Sequence, residues 1–474
     1  MMQSFENNLL FFVSKFNEYL SNYVLILLLC SVGIFYTIKT RFVQVRFFFD
    51  GIKYIIKGQK IKDDKESITP FQALSTAVAA QVGTGNIVGA AGAILIGGPG
   101  AIFWMWCIAF FGMATIYAEA TLAIKTRKVD EAGNIFGGPV YYIKEAFKGK
   151  LGTFLSRFFA VAIILALGFM GSMVQSNSIA YCMNNAFHIP NWCVGITLVL
   201  ICIFIFIGGV KRLASTVEKL VPCMAFLFIS GSFAVLFMRI QYLPEAFSLI
   251  FKYAFYPQAI LGGSFFYAIK QALSQGVKRG LFSNEAGMGS TPHAHALANV
   301  PNPHIQGTIA MLGVFIDTIV ILTLCALAVI STFYVSGGIL EHGFTGEVTT
   351  ILNRTNLVQK AFEQIFGGTI GSAFVAICLF FFAFSTILSW NLFGKINALY
   401  LFQNNKKVTT IIYTIISICF IMMGALVSSD FVWELADMFN NIMVLPNVLA
   451  LFALNKLVVS IVKDRKNNQS ESRD

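Results

Sequence analysis

The sequence is poor in charge. Asp, Glu, Lys and Arg together make up 12% of its 474 residues, against roughly 25% in an average soluble protein. No charged residue occurs from Phe71 to Ala118, from Phe158 to Val210, or from Gln364 to Gly394. A water-facing globular surface is excluded for such a chain. The nine cysteines stand singly in apolar stretches without a Cys-x-x-Cys pair. They read as core filling, not as a disulfide framework or thiolate metal site. The five histidines offer no metal chelate either, since His293 and His295 are two apart and fall on different helical faces. No nucleophile–base pairing, catalytic acid pair or phosphate loop is present, which argues against an enzyme. The chain opens without a basic segment and cleavage site, so its N-terminus reads as retained.

What fills the sequence is apolar: 57% of it, with 48 Phe. Eleven stretches are long and apolar enough to cross a bilayer. They lie near 19–39, 71–98, 100–124, 157–184, 192–210, 219–240, 258–298, 306–334, 369–401, 408–428 and 431–462. Residues 1–18 suit a short interfacial helix, with Phe5, Leu9, Phe12 and Phe16 near one face.

The net charge of +11 follows topology. Most of the basic residues fall between spans one and two (Lys39 to Lys65), three and four (Lys125 to Arg157), five and six, nine and ten, and in the tail. By the positive-inside rule these are cytoplasmic. The N-terminus is then outside, the C-terminus inside, and nucleic acid is no partner.

Two spans are interrupted. The second contains Gln81, Val82, Gly83, Thr84, Gly85 and Asn86, and two glycines weaken a helix by about 1 kcal/mol each. Close packing through small residues explains the glycines, but not the polar residues beside them. The seventh span is too long for one simple crossing and carries Gly280 and the run Ser283, Asn284, Glu285. Non-helical backbone at membrane depth persists only where it is buried in protein or lines a cavity. With span one set aside, the broken helices are the first members of two five-helix halves of opposite direction. That order is the pattern of a transporter with a midplane site. The expected architecture is therefore an all-α integral membrane protein of about 11 transmembrane helices, an N-terminal helix plus a five-plus-five inverted repeat. Its parts are 1–70 (N-terminal segment, first helix and basic loop), 71–240 and 258–462 (the two halves) and 463–474 (the tail).

The polar groups in these spans are the candidates for chemistry. N–H groups at the half-helix beginning near Thr84 attract an anion. Carbonyls of Ala79 to Val82 attract a cation, and Asn86 adds an oxygen. Ser283 offers another oxygen, and Phe282 packs on a ligand side chain. Glu285 at membrane depth is expensive unless paired or hydrated; it serves as a proton or sodium group, or caps the following half-helix. Ser385, Thr386 and Trp390 lie in an uncharged run, with Thr386 and Trp390 on one face; they belong to the site, or the hydroxyls bond back to their own helix. Gln175 binds a ligand or bridges helices. Asp317 is a buried acid with a functional role, or an ion-pair partner of Lys278 or Arg279. Glu119, near the cytoplasmic end of span three, is expected to meet Lys125 or water. A wet cleft is expected to reach Gly83 to Asn86 from one side only.

Several runs resemble the alanine/glycine:cation symporter family, that is, the sodium:alanine symporters. They are GGPGAIFWMWCIAFFG over 97–112, VGTGNI over 82–87, VQSNSIA over 174–180, GLFSNEAG over 280–287 and AFSTIL over 383–388. The first is long enough to be specific, and together they cover most of the chain. The resemblance implies sodium- or proton-coupled uptake of small neutral amino acids across the plasma membrane, chiefly alanine and glycine, with glutamine in some members. No cofactor beyond the coupling ion is implied. It implies a fold similar to the bacterial leucine transporter with one added helix. By that likeness the N–H groups of Thr84 and Gly85 hold the substrate carboxylate, Asn86 helps ligate one sodium, and Ser283 offers a sodium oxygen. Carbonyls near Ala79 and Val82, with the Ser385 and Thr386 hydroxyls, serve a second. Gln175, Phe282, Thr386 and Trp390 are implied as pocket residues, and Asp317 stands with the cation ligands. Gln175 occupies the region of a ligand-binding Tyr, a departure from the leucine transporter.

Overall fold

The computed structural model describes residues 2–57, 68–129, 135–256, 265–341, 352–427 and 429–470. Among these the chain is helical almost throughout. One short antiparallel strand pair, Lys128–Val129 with Ile135–Phe136, interrupts the pattern. Each expected span falls on helix. In order, the helices are Ile26–Lys39, the pair Pro70–Gln81 and Gly85–Gly97, Gly100–Thr126, Gly149–Phe187, Asn191–Ile207 and Gly209–Met238. Phe265–Asn284, Pro303–Phe333, Gly368–Leu401, Lys406–Leu426 and Ser429–Ala453 follow. Residues 258–264 of the seventh expected span lie outside the described residues. Among the described residues seven helices are individually long and apolar enough to cross a membrane, eight if the bent pair is one span.

Side-chain exposure separates periphery from centre. The helices Asn191–Ile207 and Gly209–Met238 turn Leu200, Phe204, Ile207, Phe226, Phe233 and Phe237 outward, each more than half exposed. In water such a face is an aggregation surface; in a bilayer it meets lipid tails. The chain is an integral membrane protein. Every residue from 73 to 95 is buried, so the first broken helix is the axis around which the others pack.

The start of that axis is encoded locally. Thr69 caps it, accepting from Gln72 N at 3.1 Å, while Gln72 Oε1 accepts from Thr69 N at 3.0 Å. Pro70 follows at the first helical position, where a missing N–H costs nothing. The helix ends at Gln81, and Val82 turns to an extended conformation with ψ 90°. Beyond it the chain resumes as Gly85–Gly97, bent 44° from the first segment.

The second break is wider. Phe265–Asn284 stops, and a turn of helix at Pro292–Ala296 follows. Between them Glu285, Gly287 and Gly289 all have positive φ, at 58°, 86° and 78°. Two glycines supply a conformation that other residues rarely adopt. Glu119 meets the freed N–H groups: its carboxylate accepts from Gly287 N at 3.1 Å and Gly289 N at 3.0 Å. Asn447 Nδ2 donates to Glu119 Oε1 at 2.6 Å and to Gly287 O at 2.8 Å. Glu119 therefore does not meet Lys125 or water. It is fully buried and holds the unwound backbone. At the far end of this segment, Ile68 and Asn299 bracket the two broken helices, with Ile68 N bonded to Leu297 O and Asn299 N to Ile68 O.

Met2–Tyr19 is helical, as expected, and runs through a π-helical turn, Leu20–Leu25, into Ile26–Lys39. Val13 and Asn17 form its buried face, while Phe12 and Phe16 are exposed; the side chains of Phe5 and Leu9 lie outside the described residues. Asn17 ties this segment to the Ser429–Ala453 helix by donating to Glu434 O at 2.8 Å and Glu434 Oε2 at 2.7 Å.

Replacing Glu119 by Ala strands two buried N–H donors, each costing about 1–3 kcal/mol. The purified protein should melt roughly 5 °C or more lower, with Glu119→Gln between Ala and the native protein because one acceptor survives. An Ala variant that melts with the native protein would remove the role assigned to Glu119.

Candidate functional site

Breaking the first helix frees backbone groups, and several of them meet side chains. Gly83 N donates to Asn86 Oδ1 at 3.0 Å, and Thr84 N donates to Gln175 Oε1 at 3.2 Å. On the carbonyl side, Thr386 Oγ1 lies 2.8 Å from Ala79 O and 3.4 Å from Val82 O, and Ser385 Oγ lies 3.5 Å from Ala79 O. Both hydroxyls also bond back to Phe382 O of their own helix, as the second reading of Ser385 and Thr386 expects. Ala79 O, Val82 O, Ser385 Oγ and Thr386 Oγ1 thus form one compact set of uncharged oxygens. Such a set suits a hard monovalent cation.

A second set gathers around Asp317. Asn86 Nδ2 donates to its Oδ1 at 2.7 Å and to its backbone carbonyl at 3.1 Å. Ser283 Oγ is 3.0 Å from each carboxylate oxygen, and Thr318 Oγ1 is 2.7 Å from Oδ2. Asp317 is therefore no partner of Lys278 or Arg279. Those two cations meet Asp437 instead, at 3.0 Å and 3.4 Å. Asn86, Ser283 and Asp317, chosen from three separate spans, share one buried cluster. Asn86 turns its oxygen to Gly83 N and its nitrogen to Asp317, but an amide oxygen has a second lone pair for another partner.

The glycines of the break are spacers. A Cβ on Gly83 would stand 2.5 Å from Thr386 Oγ1, and one on Gly85 would stand 3.1 Å from Ser283 Cα. Only a bare backbone lets the first break approach both Ser283 and Thr386. Around it lie the expected pocket residues. Gln175 touches Thr84 as above; Phe282 meets the Trp390 ring edge-on at 6.3 Å and Trp433 at 5.5 Å. Thr84 Oγ1 is buried with no hydrogen-bond partner, an open position for a further donor or acceptor. Thr84 N, expected to await an anion, is held here by Gln175.

The cleft differs from expectation. An opening lined by Leu29, Lys278, Phe282, Asp437 and Asn440 reaches Phe282, but Gly83 to Asn86 are buried. Those four residues do not line that opening. Glu285 also departs from its expected capping role. Its Oε1 accepts from Trp390 Nε1 at 2.6 Å, and its Oε2 accepts from Ser290 Oγ. Its positive φ turns the side chain away from the following backbone, and Glu119 takes the cap.

Two partners escaped the sequence reading. Gln81 Nε2 donates to Asn284 O at 2.8 Å, tying one break to the other. Asn447 completes the Glu119 cluster from the Ser429–Ala453 helix. Gln81 had a signal, a lone amide in an uncharged run; Asn447 had none beyond being polar. His293 and His295 are held by Ser290 O with Asn397 and by Gln306, and no metal-ligating cluster occurs among the described residues.

Comparison with known proteins identifies the fold and the family. The fold is shared with MhsT, solved in complex with L-phenylalanine: that structure is 15% identical, with 84% of this chain and 99% of that one covered at a TM-score of 0.57. Among curated relatives, the probable sodium/glutamine symporter GlnT of Bacillus subtilis is 38% identical over 97% of this chain and 91% of its own. The sodium/alanine symporter AgcS of Methanococcus maripaludis is 37% identical over 95% of this chain and 96% of its own. The model of the sodium:alanine symporter family matches residues 6–474, and the chain belongs to that family of secondary transporters.

Proposed function

We propose that the chain takes up small neutral amino acids, alanine and glycine, by sodium-coupled alternating access. The observation that carries this reading is the junction at the first break. There the Ser385 and Thr386 hydroxyls meet the carbonyls of Ala79 and Val82, next to the Thr84 N–H. One sodium sits in that neutral oxygen set. A second cation sits with Asn86, Ser283 and Asp317, whose carboxylate supplies the countercharge. The amino acid carboxylate displaces Gln175 Oε1 from Thr84 N and lies against the N–H groups of Thr84 and Gly85. Gln175 keeps that donor satisfied while the pocket is empty, so the break does not collapse. Phe282, Thr386 and Trp390 surround the side chain, and their bulk favours a small one.

Relatives named for alanine and for glutamine are almost equally similar, so identity does not choose between them; the aromatic side chains of Phe282 and Trp390 support the smaller substrate. A proton-coupled variant of the same cycle has Asp317 as its carrier, supported by a carboxylate whose described partners are all uncharged. The neutral hydroxyl–carbonyl set favours sodium. Placement of the basic loops supports an outside N-terminus, a cytoplasmic C-terminus and residence in the plasma membrane. The inverted halves are taken as 71–240 and 258–462, preceded by 1–70 and followed by a tail over 463–474. One elementary charge moving inward gains about 2.3 kcal/mol per 100 mV, enough for one sodium to drive accumulation.

The test is uptake of labelled alanine into proteoliposomes. Accumulation above equilibrium is expected with an inward sodium gradient and not with potassium in its place; accumulation on a proton gradient alone would transfer the coupling role to Asp317. Asn86→Ala and Thr386→Ala should each lower sodium affinity about tenfold or more, the scale of one lost charge-assisted contact. Native sodium affinity in both variants would remove the two cation sets. Trp390→Ala should admit glutamine and larger neutral amino acids, and an unchanged substrate ranking would exclude a wall role for the indole.

A further inference from the structure

The geometry points to Glu285 as a specificity-determining residue that acts through Trp390 by fixing where the indole stands in the pocket. This rests on the reading of the Thr386–Trp390 face as the substrate wall. The indole is held on three sides. Its Nε1 donates to Glu285 Oε1 at 2.6 Å. Its benzo edge lies against Gly171, where a Cβ would stand 2.5 Å from the ring. The Phe282 ring meets it edge-on at 6.3 Å.

Of these three, only the hydrogen bond is directional. Packing against Gly171 and Phe282 limits how far the ring moves, but a flat ring in an apolar slot still rotates about its side-chain bonds. The carboxylate selects one orientation, because an indole has a single donor and a bond to an ionised or acidic oxygen is short and geometrically strict. Glu285 is itself fixed: Ser290 Oγ donates to its other oxygen, and its backbone N bonds Leu281 O at 2.9 Å. The positive φ of 58° turns the side chain across the gap to the Gly368–Leu401 helix. Glu285 thus belongs to the broken helix, while the wall it sets belongs to another helix. The size of the pocket is consequently coupled to the geometry of the second break, two residues beyond Ser283 of the Asp317 cluster.

The experiment compares kcat/KM for alanine and glutamine uptake in proteoliposomes made with the full-length protein. Glu285→Met keeps the volume and removes the acceptor; the alanine-over-glutamine ratio is expected to fall about tenfold, the size of a hydrophobic-pocket discrimination. Glu285→Gln keeps an acceptor oxygen and should retain the native ratio. A native ratio in Glu285→Met, or a loss in Glu285→Gln as large as that in Glu285→Met, overturns the inference. Trp390→Ala is the control that separates this failure from that of the pocket itself. If Trp390→Ala relaxes the ratio while Glu285→Met does not, the wall stands and the positioning role falls. If Trp390→Ala leaves the ratio unchanged, both fall. Should Glu285→Met not insert, the double-mutant cycle of Glu285→Ala with Trp390→Phe serves: the double variant must relax the ratio no further than Trp390→Phe alone, and additive losses overturn the coupling.

Discussion

A backbone N–H or carbonyl at membrane depth has no water to turn to, and the molecule is arranged around meeting that demand at two interrupted helices. At the first break the partners are side chains of remote helices: Gln175 for Thr84 N, Thr386 for the carbonyls of Ala79 and Val82. At the second they are Glu119 and Asn447. Gln81 then ties the first break to Asn284 O in the second. Neither break is complete within its own helix. The folded geometry of each depends on elements hundreds of residues away, so the site forms only when the whole bundle does.

The two oxygen sets that result are of different electrical character. The one between Ala79, Val82, Ser385 and Thr386 is made of dipoles and carries no net charge. The one around Asp317 contains a carboxylate stripped of water and surrounded by Asn86, Ser283 and Thr318. In the proposed cycle a monovalent cation relieves the second set and is tolerated by the first. Asn86 is the mechanical link, since its amide touches Gly83 N on one side and Asp317 on the other. Whatever occupies the Asp317 set therefore acts on the backbone that frames the proposed substrate carboxylate. The reciprocal effect follows by linkage. Coupling in the proposed cycle needs no long pathway, because one amide side chain spans it.

Much of this was legible in the sequence because membranes make polarity conspicuous. Gly83, Thr84, Gly85 and Asn86 stand out in a run without charge, and so do Ser283 and Asp317. The span order followed from apolar length alone. Ser385, Thr386 and Trp390 emerged from resemblance together with a shared helical face. What stayed hidden has a common physical cause. Glu119 pairs with backbone N–H groups of residues 287 and 289, and backbone donors leave no trace in a side-chain pattern. Its nearness in sequence to Lys125 suggested an ordinary ion pair, yet the Gly100–Thr126 helix carries the carboxylate into the core. Glu285 was misread for the complementary reason. Its place before a half-helix suggested a cap, but a positive φ at a non-glycine residue cannot be read from composition.

The glycines of the first break show why weak helix propensity is only part of the explanation. A helix can be interrupted by many residues; it can be interrupted within reach of Thr386 and Ser283 only by a residue without a Cβ. At Gly83 the missing methyl is replaced by Thr386 Oγ1, and at Gly85 by the Cα of Ser283. A side chain at either position would push apart the elements whose oxygens have to converge. Removing the Cβ at both positions accomplishes two things with one change: it loosens the helix where it must open, and it admits the groups that then hold the opening in shape. The strength of the interruption and the geometry of the site are set by the same pair of absent atoms, which is why Gly83 and Gly85 are read better as part of the site than as its approach.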